Sequence, residues 1–339
     1  MAKIRKKAIK INFKYFWGGF DPENNLFTNF LRKHYNVIIS DNPDYLFYSV
    51  YPETNSSKDL SKKGDFIKKI SPTLYVILKK IYSKIMNFSR KKRLAVPEGD
   101  FVKIFYASEH VKPDMNKCDW AFSSYFEEKI GNSRHMRLPI DRVGGYELEN
   151  FGVPPLKKDI NLKKIKKEKT RFCNFIYSQE VPERNDFFKK LNKYKKIDAP
   201  GRCMNNMPPI SHKSPIESRL FQSWAKEKLN FLKRYKFTIA FENFSKPGWI
   251  TEKLTQPMLV NSIPIYFGHS EVKRDFNTKS FLNYHDFKNM KEFIEYIIKV
   301  DNDDKLYEEI LREPWYKNNQ LSKDWDNSRL LKRFKEIFG

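Results

Sequence analysis

The sequence predicts an α/β protein of two domains, each built on a largely parallel sheet. Short apolar segments alternate with amphipathic ones, a stretch rich in lysine and proline over 153–170 interrupts this alternation, and the alternation then resumes. Strands separated by helical patterns are typical of parallel sheets with crossover helices. With 40% hydrophobic residues among 339, the chain can bury one large or two medium-sized cores. Two domains with a cleft between them form the simplest architecture.

The predicted first domain covers 1–160. Residues 9–16 alternate apolar and polar side chains, as a half-buried strand does, and 25–35 has the spacing of an amphipathic helix. Further short apolar runs predict strands over 36–40, 44–50, 102–107 and 118–124.

The predicted second domain covers 165–320, and a basic C-terminal helix covers 321–339. Pro257 is expected to interrupt or kink one helix of this domain, because proline lacks the backbone N–H donor. The periodicity predicts strands over 171–178, 237–243 and 262–268, and helices over 184–194, 251–260, 289–300 and 304–313.

An insert over about 52–98 does not fit the alternation. Its segment 62–93 carries eleven lysines and arginines against one acid. The apolar residues that recur there at helical spacing are Leu74, Leu78, Ile81, Ile85 and Phe88. Two interpretations of this basic amphipathic helix stay open. It lies on anionic lipid, or it packs its apolar stripe on the first domain as an ordinary surface helix.

Lysine and arginine exceed aspartate and glutamate by 24. Such a charge attracts nucleic acid, anionic lipid or a phosphorylated substrate. There is no helix-turn-helix, zinc-finger or RNP-type signature, so nucleic acid is not expected as a partner.

Three isolated cysteines favour a reducing compartment. Because the sequence shows neither a signal peptide nor a transmembrane stretch, we expect a cytoplasmic protein, peripheral at the inner membrane face if 62–93 binds lipid.

Polar groups are concentrated in the turn between the strand 237–243 and the helix that follows it. Ligands of open α/β sheets collect at the carboxyl ends of strands, and the first turn of a helix offers free N–H groups and a positive dipole end. Lys253 adds a cation there, which indicates that an anion binds nearby. Glu252 can accept hydrogen bonds from sugar hydroxyls. In the alternative interpretation, both residues lie on a solvated helix face.

The segment "FENFSKPGWITEKL…IPIYFG" resembles the signature of the bacterial α1,3-fucosyltransferases of glycosyltransferase family 10. Two supporting blocks occur in the expected order, "FYASEHVKPDMNKCDWAFSSYF…RHMRLPI" and "IYSQEVPERNDFFKKL…IDAPGRCMNN", and "FWGGF" is a weaker match. The resemblance covers most of 9–320 and omits roughly 52–98.

The resemblance implies a GT-B fold, with two Rossmann-like domains facing across a cleft. The second would hold GDP-fucose and the first would hold the acceptor. It also implies inverting transfer of L-fucose from GDP-β-L-fucose to O3 of N-acetylglucosamine in an N-acetyllactosamine-type surface glycan with a Lewis-x-like product.

Carried onto matching positions, the resemblance implies roles for six residues. Glu109 would be the general base that takes the proton of the acceptor hydroxyl. Arg184 and Lys253 would bind the diphosphate and neutralise the charge on departing GDP. The other expected donor-binding residues are Asn243, Trp249 and Glu252.

No metal or other cofactor is expected, because the two cations do what a metal does elsewhere. Two acidic motifs, DNDD at 301–304 and DWD at 324–326, superficially match metal-binding patterns, and we interpret them as solvated acids. Trp249 replaces a tyrosine that is usual in the bacterial family, so any role of that hydroxyl is lost or passes to the indole N–H.

Two other functions stay open at this stage. One is a GT-B glycosyltransferase that uses another nucleotide sugar or another hydroxyl. The other, which belongs to a different class, is a basic nucleic-acid-binding protein, and only the net charge motivates it.

Overall fold

The structure is a computed structural model that describes residues 6–18, 20–51, 95–107, 109–144, 156, 160–210 and 224–339. The basic segment 62–93 lies outside these residues, so its two interpretations stay predictions. The chain divides into two compact units, Met1–Phe122 and Ser123–Gly339.

The first unit contains five parallel strands in the order β2-β1-β3-β4-β5. The last strand ends on the first residue of the second unit. In chain order the elements are β1 (Ala8–Lys14), α1 (Leu26–Arg32), β2 (Asn36–Ile39), β3 (Tyr45–Tyr48), β4 (Val102–Tyr106) and β5 (Trp120–Ser123).

Helix α1 covers one face of this sheet. Asn25 caps the helix by accepting a hydrogen bond from the Thr28 N–H, which explains why the helix begins there. Phe27 is fully buried, and its ring packs 4.8 Å from that of Phe47 and 5.2 Å from that of Tyr106. These aromatic contacts anchor the helix to the central strands β3 and β4.

The second unit begins with three short elements and continues as a regular α/β alternation. Its elements are α2 (Glu127–Ile130), β6 (His135–Arg137), α3 (Ile140–Gly144), α4 (Leu162–Glu168), β7 (Arg171–Asn174), α5 (Pro182–Asn192), β8 (Ile197–Asp198), α6 (Trp224–Leu232), β9 (Tyr235–Phe241), α7 (Glu252–Leu259), β10 (Ile263–Phe267), β11 (Leu282–Asn283), α8 (Met290–Asn302), α9 (Asp304–Arg312) and α10 (Asn327–Phe338).

Both faces of the second sheet are buried, as expected for parallel strands. The order is β11-β10-β9-β7-β8, and every pair is parallel. Along β9, Phe237, Ile239 and Phe241 face a core shared with α5, α8 and α9, whereas Ala240 faces a second core shared with α7. Alternate residues of β9 therefore face opposite sides of the sheet.

The two sheets share one topology. The five strands of the first unit and the five strands of the second sheet are both ordered 2-1-3-4-5 in chain numbering, and the direction of winding reverses between the first and third strands. Such a reversal is a topological switch point, and ligands of doubly wound sheets bind there, outside the carboxyl ends of the strands. The switch points lie between β1 and β3 in the first unit and between β7 and β9 in the second.

The α/β class with parallel sheets is confirmed, and every predicted strand is present. Most are shorter than predicted, whereas β1 and β9 begin one and two residues earlier and end two residues earlier than predicted. Within the predicted linker 153–170, the described part contains helix α4. The compact units divide after Phe122, whereas the predicted border lies at 160–165. The reason is that residues 123–144 pack with the second unit, where Arg137 pairs with Asp275 and Asp324.

The interpretation of the two acidic motifs, 301–304 and 324–326, as solvated acids is wrong for Asp301 and Asp324, which are buried. Asp301 is buried and pairs with Lys236 at 2.7 Å and Lys195 at 3.1 Å. Asp324 is also buried and pairs with Arg137 at 2.7 Å. Both carboxylates therefore serve as partners of structural ion pairs.

No helix in the part of the chain that the structure describes is long and apolar enough to cross a membrane. All three cysteines are buried and free of disulfides.

Candidate functional site

The switch point of the second sheet brings together the loops that follow β7 and β9. The first loop leads through Tyr177 into α5, and the second, 242–251, leads into α7. The Tyr177 hydroxyl joins the two strands, because it donates to the Ile239 carbonyl at 2.8 Å and accepts from the Phe241 N–H at 2.7 Å. The predicted donor-binding residues all lie on α5, α7 or the loop between β9 and α7.

The start of α7 is fixed by Thr251 and the buried Glu242. The Thr251 hydroxyl accepts a hydrogen bond from the Lys253 N–H, which caps the helix. Thr251 Oγ1 also lies 2.9 Å from both carboxylate oxygens of Glu242, and the Thr251 N–H donates to Glu242 Oε1 at 2.9 Å. Glu242, the first residue after β9, thereby fixes the position of the first helical turn.

Lys253 lies between two carboxylates. Its Nζ is 3.6 Å from Glu242 Oε2 and 3.5 Å from Glu252 Oε1. Burial lowers the pKa of Lys253, but Glu252 and Glu242 outweigh burial and raise it above its ordinary value. The lysine is therefore charged at neutral pH and keeps part of its surface open to solvent, since 19% of its side chain is exposed.

The two carboxylates differ in environment. Burial raises the pKa of Glu242, and Lys253 only partly opposes this. The side chain of Glu252 is 41% exposed. Burial acts to raise its pKa too, but Lys253 and Lys228 outweigh it and bring the value to about 2. Glu252 therefore offers an ionised acceptor at the surface, whereas the buried Glu242 stabilises the start of α7 through its hydrogen bonds with Thr251.

Arg184 is buried, with 1% of the residue exposed. One terminal nitrogen donates to Asn243 Oδ1 at 3.0 Å and the other to the Gln179 carbonyl at 2.5 Å. The guanidinium carbon lies 3.7 Å from the centre of the Tyr177 ring. Its Nε has no hydrogen-bond partner in the part of the chain that the structure describes. Arg184 therefore lies beneath the surface and orients Asn243, which is exposed.

The charges of Arg184 and Lys253 act on the same group. Both lower the pKa of the Tyr177 hydroxyl, although burial dominates and raises it. Arg184 also acts to lower the pKa of Lys253. The structure thus brings the two predicted diphosphate-binding cations to one edge of the sheet.

Trp249 presents little of its ring to a ligand. The residue is 7% exposed, and its ring packs 4.7 Å from that of Phe244. The expectation that it lines the donor pocket stays a prediction, and the observed packing favours a role in shaping the loop.

The loop before α7 is held by Arg137, which sequence reasoning did not single out as a site residue. Its guanidinium donates to Gly248 O and Ser124 O, both at 3.2 Å, and forms two hydrogen bonds with Asp275 at 2.7 and 2.8 Å. Gly248 has φ +80°, and a Cβ there would lie 2.1 Å from Ser124 O. The only sequence signal for this contact was the R-x-P pattern at 137–139.

In the first unit, Glu109 follows β4 and is half-buried. Its Oε1 accepts a hydrogen bond from the Tyr51 hydroxyl at 3.1 Å. The ring of Trp17 meets that of Tyr51 edge-on at 6.2 Å. Trp17 and Tyr51 follow β1 and β3, so they flank the switch point of this sheet. Sequence reasoning missed Tyr51, although it directly follows a predicted strand.

Among the described residues, no three His, Cys, Asp or Glu side chains come together in an arrangement that could hold a metal ion.

The chain forms two α/β units on parallel sheets, which is the architecture of the GT-B class of fold, and a charged lysine lies at the switch point of the second unit. A crystal structure of an alpha1,3-fucosyltransferase is similar to this chain, with 25% sequence identity and a TM-score of 0.68, over 99% of this chain and 92% of that one. The model of "Glycosyltransferase family 10 (fucosyltransferase) C-term" matches residues 165–334, and that of "Alpha-(1,3)-fucosyltransferase FucT N-terminal domain" matches 11–62. The chain belongs to glycosyltransferase family 10.

Two relatives differ in the activity that their names state. The alpha-(1,3)-fucosyltransferase FucT of Helicobacter pylori is 30% identical over 334 residues, which is 92% of this chain and 61% of that protein. The GDP-fucose protein O-fucosyltransferase 3 of Xenopus tropicalis is 30% identical over 181 residues, which is 52% of this chain and 37% of that protein. The chain thus spans less than two thirds of either relative.

Proposed function

We propose that the chain is an α1,3-fucosyltransferase that moves L-fucose from GDP-fucose to O3 of an N-acetylglucosamine unit in an N-acetyllactosamine-type glycan. The observation that carries this function is the charged Lys253 in the first turn of α7, at the switch point of the second sheet. Family membership and the name of the Helicobacter pylori relative support fucose as the sugar and O3 as the target.

The donor diphosphate binds at the start of α7. The positive dipole end of the helix and the ammonium group of Lys253 favour an anion there. The partly exposed, ionised carboxylate of Glu252 accepts hydrogen bonds from ribose or fucose hydroxyls. Asn243 supplies an amide donor and acceptor beside them, and Arg184 contributes its charge from beneath.

Glu109 acts as the general base. It takes the proton of the acceptor hydroxyl while the oxygen attacks the anomeric carbon of fucose and the bond to GDP breaks, which inverts the anomeric configuration. The sugar passes through a state with oxocarbenium character. Negative charge grows on the departing GDP, where Lys253 and Arg184 stabilise it without a metal ion.

Fucosylation of a protein hydroxyl is a second candidate for the acceptor. The Xenopus tropicalis relative is named for this activity, and the match to it covers 52% of this chain. The donor would be the same, so only the acceptor distinguishes the two functions.

Nucleotide binding and transfer test the function in two steps. GDP is expected to raise the melting temperature of the protein, whereas UDP at the same concentration is not. Incubation with GDP-fucose and an array of glycan and peptide acceptors is then expected to give an α1,3-linked fucose on N-acetyllactosamine, read out by mass and linkage analysis. Transfer only to peptides would favour the second candidate. Transfer from another sugar nucleotide, or stabilisation by UDP alone, would contradict both.

A further inference from the structure

The switch point of the first sheet holds a tyrosine whose place in the fold is fixed by its main chain. The Tyr51 N–H donates to the Tyr15 carbonyl at 2.9 Å, which extends the pairing of β1 with β3 beyond the ends of both strands. The ring of Trp17 contacts that of Tyr51 from the side. The phenol is therefore held by backbone pairing and by an aromatic neighbour.

The hydroxyl of Tyr51 meets the Glu109 carboxylate from a neighbouring loop. The two groups are 58 positions apart in sequence, and the distance from Tyr51 Oη to Glu109 Oε1 is 3.1 Å. A phenol that donates to one oxygen of a carboxylate fixes the orientation of the carboxylate. Because Oε1 is engaged, Oε2 is the oxygen that remains for another proton donor.

We propose that Tyr51 is a positioning residue that holds Glu109 through Oε1 and directs Oε2 to the acceptor hydroxyl. This inference rests on the proposed function, since it deepens the role of Glu109 in that reaction. No covalent step involves Tyr51. The tyrosine keeps its proton while Oε2 of Glu109 receives the proton of the attacking hydroxyl.

Tyr106, on β4, is a titratable group on which both members of this pair act. It is fully buried, and its hydroxyl has no hydrogen-bond partner within the described residues. Burial raises its pKa well above the ordinary value, and Tyr51 and Glu109 raise it further, so this phenol stays neutral. Tyr106 therefore does not compete for the proton that Glu109 receives.

The test compares two tyrosine-to-phenylalanine variants of the full chain. Tyr51→Phe removes the hydrogen bond to Glu109. Tyr48→Phe is the matched control, because its hydroxyl, three residues earlier in the same segment, donates to the Lys117 carbonyl at 3.0 Å and does not contact Glu109. Measurements are kcat, KM for each substrate, the melting temperature and GDP affinity.

We expect Tyr51→Phe to lower kcat roughly 10- to 100-fold, with KM for both substrates and GDP affinity unchanged. We expect Tyr48→Phe to affect the melting temperature alone. In the double variant Tyr51→Phe/Glu109→Gln, kcat is expected to match that of Glu109→Gln, because the tyrosine acts only through the carboxylate. A Tyr51→Phe variant with wild-type kcat, or one that changes only the melting temperature as the control does, would overturn the inference.

A second measurement does not depend on transfer. With glutamate carboxyls labelled by ¹³C, the Glu109 signal is the one missing from Glu109→Gln. Its chemical shift at neutral pH is expected to change in Tyr51→Phe, because the hydrogen bond to Oε1 is lost, but not in Tyr48→Phe. If wild-type protein transfers no fucose, the proposed function fails, and the chemical shift still reports whether Tyr51 holds the carboxylate. An unchanged chemical shift in Tyr51→Phe would contradict the inference even in an active enzyme.

Discussion

Lys253 occupies a position that is electrostatically unfavourable for a cation, because the first turn of a helix already carries a positive dipole end. The two carboxylates beside it offset this cost. Glu242 is buried and needs a positive neighbour, and Glu252 lies next to Lys253 in the chain. Lys253 is therefore paired with the buried Glu242, while the exposed part of its side chain leaves its charge available to a ligand.

Lys253→Met is expected to weaken GDP binding by about 100-fold or more, since a charge-assisted contact to phosphate is lost. It is also expected to lower stability by roughly 1–3 kcal/mol, because the Glu242 carboxylate loses its cation in a buried site. GDP titration by calorimetry and urea unfolding measure the two effects. Lys246→Met, in the exposed part of the same loop, is the control.

The double variant Glu242→Gln/Lys253→Met separates these effects. Removing the buried charge is expected to restore most of the lost stability while GDP binding stays weak. If GDP binds the double variant as tightly as the wild type, Lys253 does not contact the diphosphate.

Arg184 shows where prediction from sequence ends at the residue scale. Its place at the start of α5 followed from the resemblance of "PERNDFF" to a known block, and the structure has α5 begin at Pro182. Its burial, its stacking on Tyr177 and its hydrogen bond to Asn243 depend on residues up to 59 positions away. No local sequence pattern encodes such contacts. An arginine near the start of this helix was therefore predictable, but its burial and its contacts with Tyr177 and Asn243 were not.

At the scale of elements, long apolar runs were predictable and short strands were not. Strands β9 and β10 have five or more consecutive residues that are mostly buried, so their composition alone indicated them. Strands β8 and β11 have two residues each, and β6 has three. A period of two cannot be recognised in so few residues, because these strands exist only through their neighbours in the folded protein.

The loop between β9 and α7 depends on a glycine for its close approach to Ser124. Gly248→Ala is expected to destabilise the protein by about 2 kcal/mol or more, because φ +80° is unfavourable for alanine and the added Cβ would lie 2.1 Å from Ser124 O. GDP affinity is expected to fall with it, since the loop precedes the helix that we propose as the binding site of the diphosphate. Urea unfolding and GDP titration measure both.

Gly131→Ala is the matched control for this prediction. Gly131 ends α2 with φ +66°, but a Cβ there would meet no atom within 4 Å. It therefore reports the cost of the backbone conformation alone, about 1 kcal/mol. Equal losses of stability in the two variants, with unchanged GDP affinity in both, would show that the Ser124 contact does not shape the loop.

At the scale of the whole molecule, the α/β class and a second alternation after the first were predictable from the sequence pattern. The assignment of 123–144 to the second unit was not. It depends on Arg137, whose carboxylate partners Asp275 and Asp324 lie 138 and 187 positions away. Asp324 belongs to a motif that the sequence analysis interpreted as solvated acids, and Asp275 had no predicted role. Ion pairs between distant segments leave no periodic signal in a single sequence.

The assignment of roles to the two units is the central claim: the second binds the nucleotide, and Glu109 of the first removes the proton. Glu109→Gln keeps the size of the side chain and can still accept a hydrogen bond from Tyr51, but it cannot take up a proton at neutral pH. Glu98→Gln, at an exposed position of the same unit, is the control.

The most direct measurement is the rate of fucose transfer by Glu109→Gln together with its affinity for GDP. We expect kcat to fall by roughly 10²- to 10⁴-fold, while the dissociation constant for GDP and the melting temperature stay at wild-type values and Glu98→Gln remains fully active. Near-normal turnover by Glu109→Gln, or a loss of activity that only follows a loss of GDP binding, would contradict the account.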